Sequence, residues 1–122
     1  MLAQTMQAAS SPRTITKVPE RILGAIAYVE SRSGKHLTGD GGRSIGVYHM
    51  KRIAWEDIKR PGERYTSLRT NHAYARECAR RYLLMYATSN DWLINVQHYN
   101  AGPGKLSASY RRRIESYLRN RQ

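Results

Sequence analysis

The sequence predicts a mainly α-helical domain with a Gly-rich loop, or a very small β element, after its first core helix. Three observations lead there. Apolar residues recur at helical spacing in five separate segments. The stop signals Pro61-Gly62 and Gly102-Pro103-Gly104 fall between those segments. Gly34, Gly39, Gly41 and Gly42 crowd into one stretch, where they enforce tight turns.

The elements follow in order. Residues 1–16 are rich in Ala, Gln, Ser and Thr without periodicity and read as a loosely held arm, which leaves 17–122 as the folded domain. Pro19-Glu20 opens a helix, since proline suits a first turn and an acid suits its positive end. Ile22, Leu23, Ile26 and Ala27 give that helix an apolar stripe. Residues 32–44 form the glycine loop, and Ile45 to Met50 is a brief strand or an extended lead-in. Lys51 to Arg60 reads as a helix with Ile53, Ala54 and Ile58 inward. A longer helix is expected from about Ser67 to Ala87, burying Ala75, Cys78, Ala79, Tyr82 and Met85. Ser89-Asn90-Asp91 offers a cap for a helix carrying Trp92, Leu93, Val96 and Tyr99. Ser107 begins a last helix with Tyr110, Ile114, Tyr117 and Leu118 on its apolar side.

Composition narrows the function classes. The chain has 122 residues, the size of one domain, and no Phe, so nine Tyr and two Trp supply the aromatic packing. Twenty-one Lys and Arg against nine Asp and Glu leave a formal charge of +12, which calls for an anionic partner without naming it. Cys78 is alone and gives neither an internal disulfide nor a metal-ligand spacing. No metal and no cofactor are expected. No apolar run approaches the ~18 residues of a membrane span, and Met1 to Ser11 does not read as a secretory signal.

Three stretches carry candidate chemistry. Glu30 lies four residues after Ile26 and eight after Ile22, so it continues the buried stripe. It also sits at a helix end, where unpaired carbonyls face it. Both surroundings disfavour the ionised form, and a carboxyl that keeps its proton can donate it to a leaving oxygen. Periodicity alone also allows Glu30, in the last helical turn, to bend out to solvent or to pair with an arginine, which is the plainer reading. Asp40 lies in Gly39-Asp40-Gly41-Gly42-Arg43-Ser44-Ile45-Gly46, where small neighbours permit close approach. A carboxylate there could activate water or stabilise a positive sugar ring, although a plain Gly-Asp turn accounts for the loop as well. Calcium and phosphate loops both fail on spacing. Tyr99 and Asn100, in His98-Tyr99-Asn100-Ala101-Gly102-Pro103-Gly104, could stack on a sugar and bond its substituents; a helix end closed by Gly and Pro is the plainer reading.

The ordered set of Glu30-Ser31-Arg32-Ser33-Gly34, then Gly39 to His49, then Tyr99-Asn100-Ala101-Gly102-Pro103-Gly104 resembles the lysozyme-like superfamily, with the lytic transglycosylase (SLT) domains and goose-type lysozymes as the nearest members. The resemblance spans roughly residues 19–118 and implies a lysozyme-like catalytic domain. It implies that Glu30 is the general acid for the β-1,4 bond between N-acetylmuramic acid and N-acetylglucosamine, and that Asp40 helps position water. It further implies that Ser44, Gly46, Tyr48, His49, Tyr99, Asn100 and Tyr110 line or support the sugar groove. His49 stands where the family usually has glutamine, Tyr48 where it has methionine, and Lys51 where the goose-type pattern carries a second loop aspartate. Hydrolysis and lytic transglycosylation to an anhydro product share the same acid step, and the sequence leaves both open.

On this reading the partner is the peptidoglycan strand, reached in the periplasm or at the cell wall, by a monomer with no membrane insertion and no specific nucleic acid. Two alternatives stay open. One is a basic nucleic-acid-binding module, suggested by Arg111, Arg112, Arg113, Arg119 and Arg121, although no known DNA- or RNA-binding motif is visible. The other is a lysozyme-like protein that binds the wall without cutting it.

Overall fold

A computed structural model describes residues 15–121, so most of the expected N-terminal arm lies outside the described residues. Within them the protein is mainly helical: six helices and a three-stranded antiparallel sheet of two-residue strands. Helix α1 (Glu20–Ser31) leads into β1 (Thr38–Gly39), a single 3-10 turn over Asp40–Gly42, β2 (Ser44–Ile45) and β3 (Met50–Lys51). Then come α2 (Arg52–Ile58), α3 (Ser67–Thr70), α4 (His72–Met85), α5 (Trp92–Ala101) and α6 (Ala108–Arg119). None of these helices is long and apolar enough to cross a membrane.

Helix α1 is the spine of the domain. Its stripe residues Ile22, Leu23, Ala25 and Ile26 are all at most 1% exposed, and each of the larger three contributes roughly 2 kcal/mol by burial. The stripe packs chiefly against α6, where Tyr110 and Ile114 are fully buried. Alpha-4 covers the other side with Ala75, Cys78, Ala79, Tyr82 and Leu83. Glu20, in the first turn of α1, pairs with Arg76 of α4 and ties the two helices at their exposed ends.

Side-chain caps set the helix starts. Asp91 accepts the Leu93 amide at 2.9 Å to open α5, and Ser107 accepts the Tyr110 amide at 3.3 Å to open α6. Asn71 does the same for α4, accepting from the Tyr74 amide at 2.9 Å. That cap breaks the long helix expected over 67–87 into α3 and α4, because Asn71 takes an extended backbone (φ −97°, ψ 93°). Leu68, 1% exposed, anchors the short α3 in the core.

Two expected core residues are on the surface. Ile53 is 75% exposed and Met85 55%. Alpha-2 turns Trp55 and Ile58 inward instead, and at Met85 α4 is already ending, beyond its last buried residue Leu83. The brief strand expected over 45–50 is a hairpin: Ile45 pairs with Met50 and Ser44 with Lys51, and residues 46–49 form the turn between them.

A polar network locks the distal side. Arg81 donates to both Glu63 oxygens at 2.8 and 2.9 Å and to Glu77 at 3.1 Å. Trp55 donates to the Tyr74 hydroxyl at 2.9 Å, which donates in turn to Glu63 at 2.9 Å. The Arg81 guanidinium holds the Glu63 carboxyl down at about 2. Among the described residues no buried side-chain polar atom lacks a partner.

Candidate active site

The end of α1 positions the first functional group. Arg32 and Ser33 both take left-handed backbone (φ 55° and 59°) and close the helix by donating to the Tyr28 and Ala27 carbonyls. Ser31, fully buried, donates its hydroxyl to the Val47 carbonyl at 2.6 Å and accepts the Gly34 amide at 2.8 Å. One side chain therefore clamps the hairpin turn onto the end of α1, beside Glu30. Gly46 fits the same turn closely: a Cβ there would lie 2.5 Å from the Leu68 carbonyl oxygen.

The hairpin then delivers His49. Its backbone is left-handed (φ 44°), which turns the ring back toward α1. Nε2 lies 2.6 Å from the His36 carbonyl oxygen, and Nδ1 lies 3.5 Å from Glu30 Oε1. A carbonyl can only accept, so Nε2 carries a proton in every state, and any second proton sits on Nδ1 facing Glu30. The Glu30 carboxylate raises the His49 pKa, with help from the His36 carbonyl and Asp40 and against the effect of burial.

On its other oxygen Glu30 accepts the Tyr110 hydroxyl at 2.8 Å. Its side chain is 18% exposed and that of His49 11%. Glu30 is thus mostly withdrawn from water, and it meets two donors rather than the bare carbonyls of its helix end. Burial and the neighbouring Glu30 hold the Tyr110 phenol neutral, well above its ordinary value.

Around Glu30 lies a cleft of about 550 Å³. It brings together Glu30, Asp40, Ser44, His49, Tyr99 and Asn100 from the three motif stretches. Asp40, left-handed at φ 56° on the 3-10 turn, pairs with Lys51 Nζ at 3.1 Å, both half-exposed. Lys51 therefore faces Asp40 where a second loop acid was missing. The four non-glycine residues with positive φ among those described are Arg32, Ser33, Asp40 and His49. All border this cleft or the helix end that feeds it; such strain concentrates at functional sites.

Three residues expected at the groove are not among those lining it. Gly46 is filled from behind by Leu68 and gives its amide to the Leu37 carbonyl at 2.8 Å. Tyr48 is 6% exposed and works through its backbone, whose carbonyl accepts the Tyr99 hydroxyl at 2.7 Å. Tyr110 is fully buried and reaches the site only through its hydroxyl. At those positions each residue faces the packed core beneath the cleft and supports the lining from behind.

Other lining residues escaped the sequence reading. Ile53, taken for core, lies on the rim as an exposed apolar surface, followed by Asp57 one turn later. Asp57 accepts the Tyr86 hydroxyl at 2.8 Å. Tyr82 packs edge-on against Tyr99, with ring centroids 5.7 Å apart, and its phenol is pushed up to about 12 by burial, Tyr86 and Asp57. The spacing of Ile53 and Asp57 places them on one helical face, but nothing local shows that this face borders a cleft. His98, inside the third motif, is buried structural polarity, held by Thr88 and the Lys105 carbonyl, each at 2.7 Å. No three His, Cys, Asp or Glu side chains among the described residues converge as a metal site would require.

The chain matches no protein-family model, no curated protein and no solved structure.

Proposed function

We propose that the protein is a peptidoglycan-cleaving muramidase with a lysozyme-like domain, cutting the β-1,4 bond between N-acetylmuramic acid and N-acetylglucosamine. One observation carries this reading. A mostly buried carboxyl, held by Tyr110 and His49, opens onto a cleft that gathers the glycine loop and the Tyr99-Asn100 corner. Those segments are far apart in the chain, and a shared cleft is what a glycosidase acid requires.

In this mechanism Tyr110 donates to Glu30 Oε2, so Oε1, faced by His49 Nδ1 at 3.5 Å, is the oxygen through which a proton is delivered. Glu30 passes that proton to the glycosidic oxygen as the bond from the anomeric carbon breaks and its electron pair stays on the leaving oxygen. The anomeric carbon is then taken by water, or by the muramic acid's own 6-hydroxyl, and the attacking group's proton returns to Glu30. Asp40, drawn toward Lys51, is placed to support the sugar or the water at the cleft edge. Tyr99, half-buried, and Asn100, exposed, are the residues this corner offers to the glycan. A wall glycan as substrate places the reaction outside the cytoplasmic membrane.

The test is mass spectrometry of muropeptides after wall digestion by the parent and by Glu30→Gln. The parent should release disaccharide fragments, whose reducing or anhydro ends name the route. The variant should bind walls yet release nothing. Equal release by the variant would remove Glu30 from the reaction, and no release by either protein would leave a wall-binding domain.

A further inference from the structure

A second cavity lies behind the first. Tyr28 is about 160° around α1 from Glu30, and with Arg32, Arg113, Ser116, Tyr117 and Arg121 it lines a pocket of about 390 Å³ between α1 and α6. The two cavities share no lining residue. Tyr110 joins them: its hydroxyl bonds Glu30, while the Arg113 guanidinium lies 5.2 Å over its ring.

The pocket is built around stacked arginines. The Tyr28 and Tyr117 rings pack 5.0 Å apart. Arg121 lies over both, at 4.4 Å from the Tyr117 centroid and 5.6 Å from that of Tyr28. Arg32 lies 5.1 Å over Tyr28 and donates to its hydroxyl at 2.9 Å. Stacking uses the flat faces of these guanidinium groups; Arg32 gives one N–H to the Tyr28 hydroxyl and Arg121 one to Tyr117, and the remaining N–H groups of the three arginines can donate to a ligand. Arg32, Arg113 and Arg121 make no ion pair with a carboxylate among the described residues, whereas Arg76, Arg80, Arg81 and Arg111 all do. Three like charges converging on one concavity repel one another, and an oxyanion between them relieves that repulsion while taking forked hydrogen bonds.

We propose that this pocket binds the phosphodiester groups of an anionic polymer attached to the cell-wall glycan, anchoring the protein while the cleft works on the strand. The choice of a phosphodiester polymer rests on the muramidase reading; the preference for an oxyanion rests on the pocket alone. A nucleic acid fits less well. Single strands are held by bases stacking on open aromatic faces, and both tyrosine rings here are occupied by each other and by arginine.

The test compares three proteins by co-sedimentation at fixed ionic strength. They are the parent, Arg32→Gln/Arg113→Gln/Arg121→Gln, and a control of equal charge loss, Arg60→Gln/Arg64→Gln/Arg69→Gln. The probes are walls carrying a phosphodiester-linked polymer and the same walls after hydrofluoric acid has removed it. The pocket triple should lose at least about tenfold in affinity for untreated walls, and the control less than about threefold. Acid treatment should weaken the parent and erase the difference between parent and pocket triple. Cleavage of phosphate-free glycan oligomers by Arg121→Gln, whose side chain stacks on Tyr28 and Tyr117 and not on Tyr110, should match the parent, so a failure of catalysis and a failure of this site read out separately. Arg121→Gln alone, in the exposed last turn, should give a smaller loss in the same direction without touching the core. Equal losses in the two triples, or a parent indifferent to the acid treatment, would overturn the proposal. So would a pocket triple that binds walls normally but loses a single-stranded oligonucleotide.

Discussion

Tyr110 donates its hydroxyl to Glu30 Oε2 at 2.8 Å across eighty residues of chain. The bond fixes one carboxyl oxygen and leaves the other facing His49, so the orientation of the candidate acid is decided by the last helix of the domain.

Removing that hydroxyl should therefore cost function more than fold. For Tyr110→Phe we expect kcat for wall cleavage to fall about tenfold, equivalent to about 1.4 kcal/mol of barrier. The ring is kept, so stability should change by no more than about 1 kcal/mol. Turbidity loss of wall suspensions and a urea melt measure the two. An unchanged rate would mean that Glu30 needs no such anchor.

His49 gives the site a pH dependence of definite sign. Its folded pKa is raised above the ordinary 6.5, first by the contact with Glu30. The imidazolium therefore stabilises the fold, fully below the unfolded value, and this contribution is lost as pH rises through the folded value. The stability difference between parent and His49→Gln should be larger at about pH 5.5 than at about pH 9. An NMR titration of the His49 ring should give a midpoint above 6.5. A midpoint at or below that value would break the assigned pairing with Glu30.

Gly46 and Gly41 separate steric clash from backbone strain. Both have positive φ, 86° and 65°, but a Cβ at Gly46 meets the Leu68 carbonyl at 2.5 Å while one at Gly41 meets nothing within 4 Å. Gly46→Ala should destabilise by more than about 2 kcal/mol and Gly41→Ala by about 1 kcal/mol. Urea denaturation of the pair checks the order, and equal losses would show that the turn can move away from Leu68.

The Arg81 network should fail when its centre is removed. Arg81→Met leaves Glu63 and Glu77 without their shared cation, and we expect a loss of about 3 kcal/mol at neutral pH. Because Arg81 holds Glu63 down to about 2, the pair's contribution is present above the ordinary 4.5 and fades as pH falls toward 2. The gap between parent and variant should therefore narrow in acid. A gap that stayed constant from neutral pH to pH 3 would show that Glu63 does not titrate with the fold.

Much of this protein was legible locally. The stripe of Ile22, Leu23 and Ile26, the caps at Asp91 and Ser107, and the stop at Pro61-Gly62 depend on residues within a turn or two of one another, and periodicity and capping chemistry report such neighbours directly. The three motif stretches were visible for the same reason. Tertiary packing decided the rest. An apolar residue at helical spacing shows that a face exists and not what covers it, so periodicity assigns Ile53 to the core although it lies on the cleft rim, and nothing local marks Asp57 one turn on. The partners of Glu30 come from a hairpin turn and from a helix eighty residues away, and Arg32 meets Arg113 and Arg121 only because α1 packs against α6. Contacts between groups so distant in the chain arise when apolar faces close on one another, and no local pattern encodes which polar atoms that closure brings within reach.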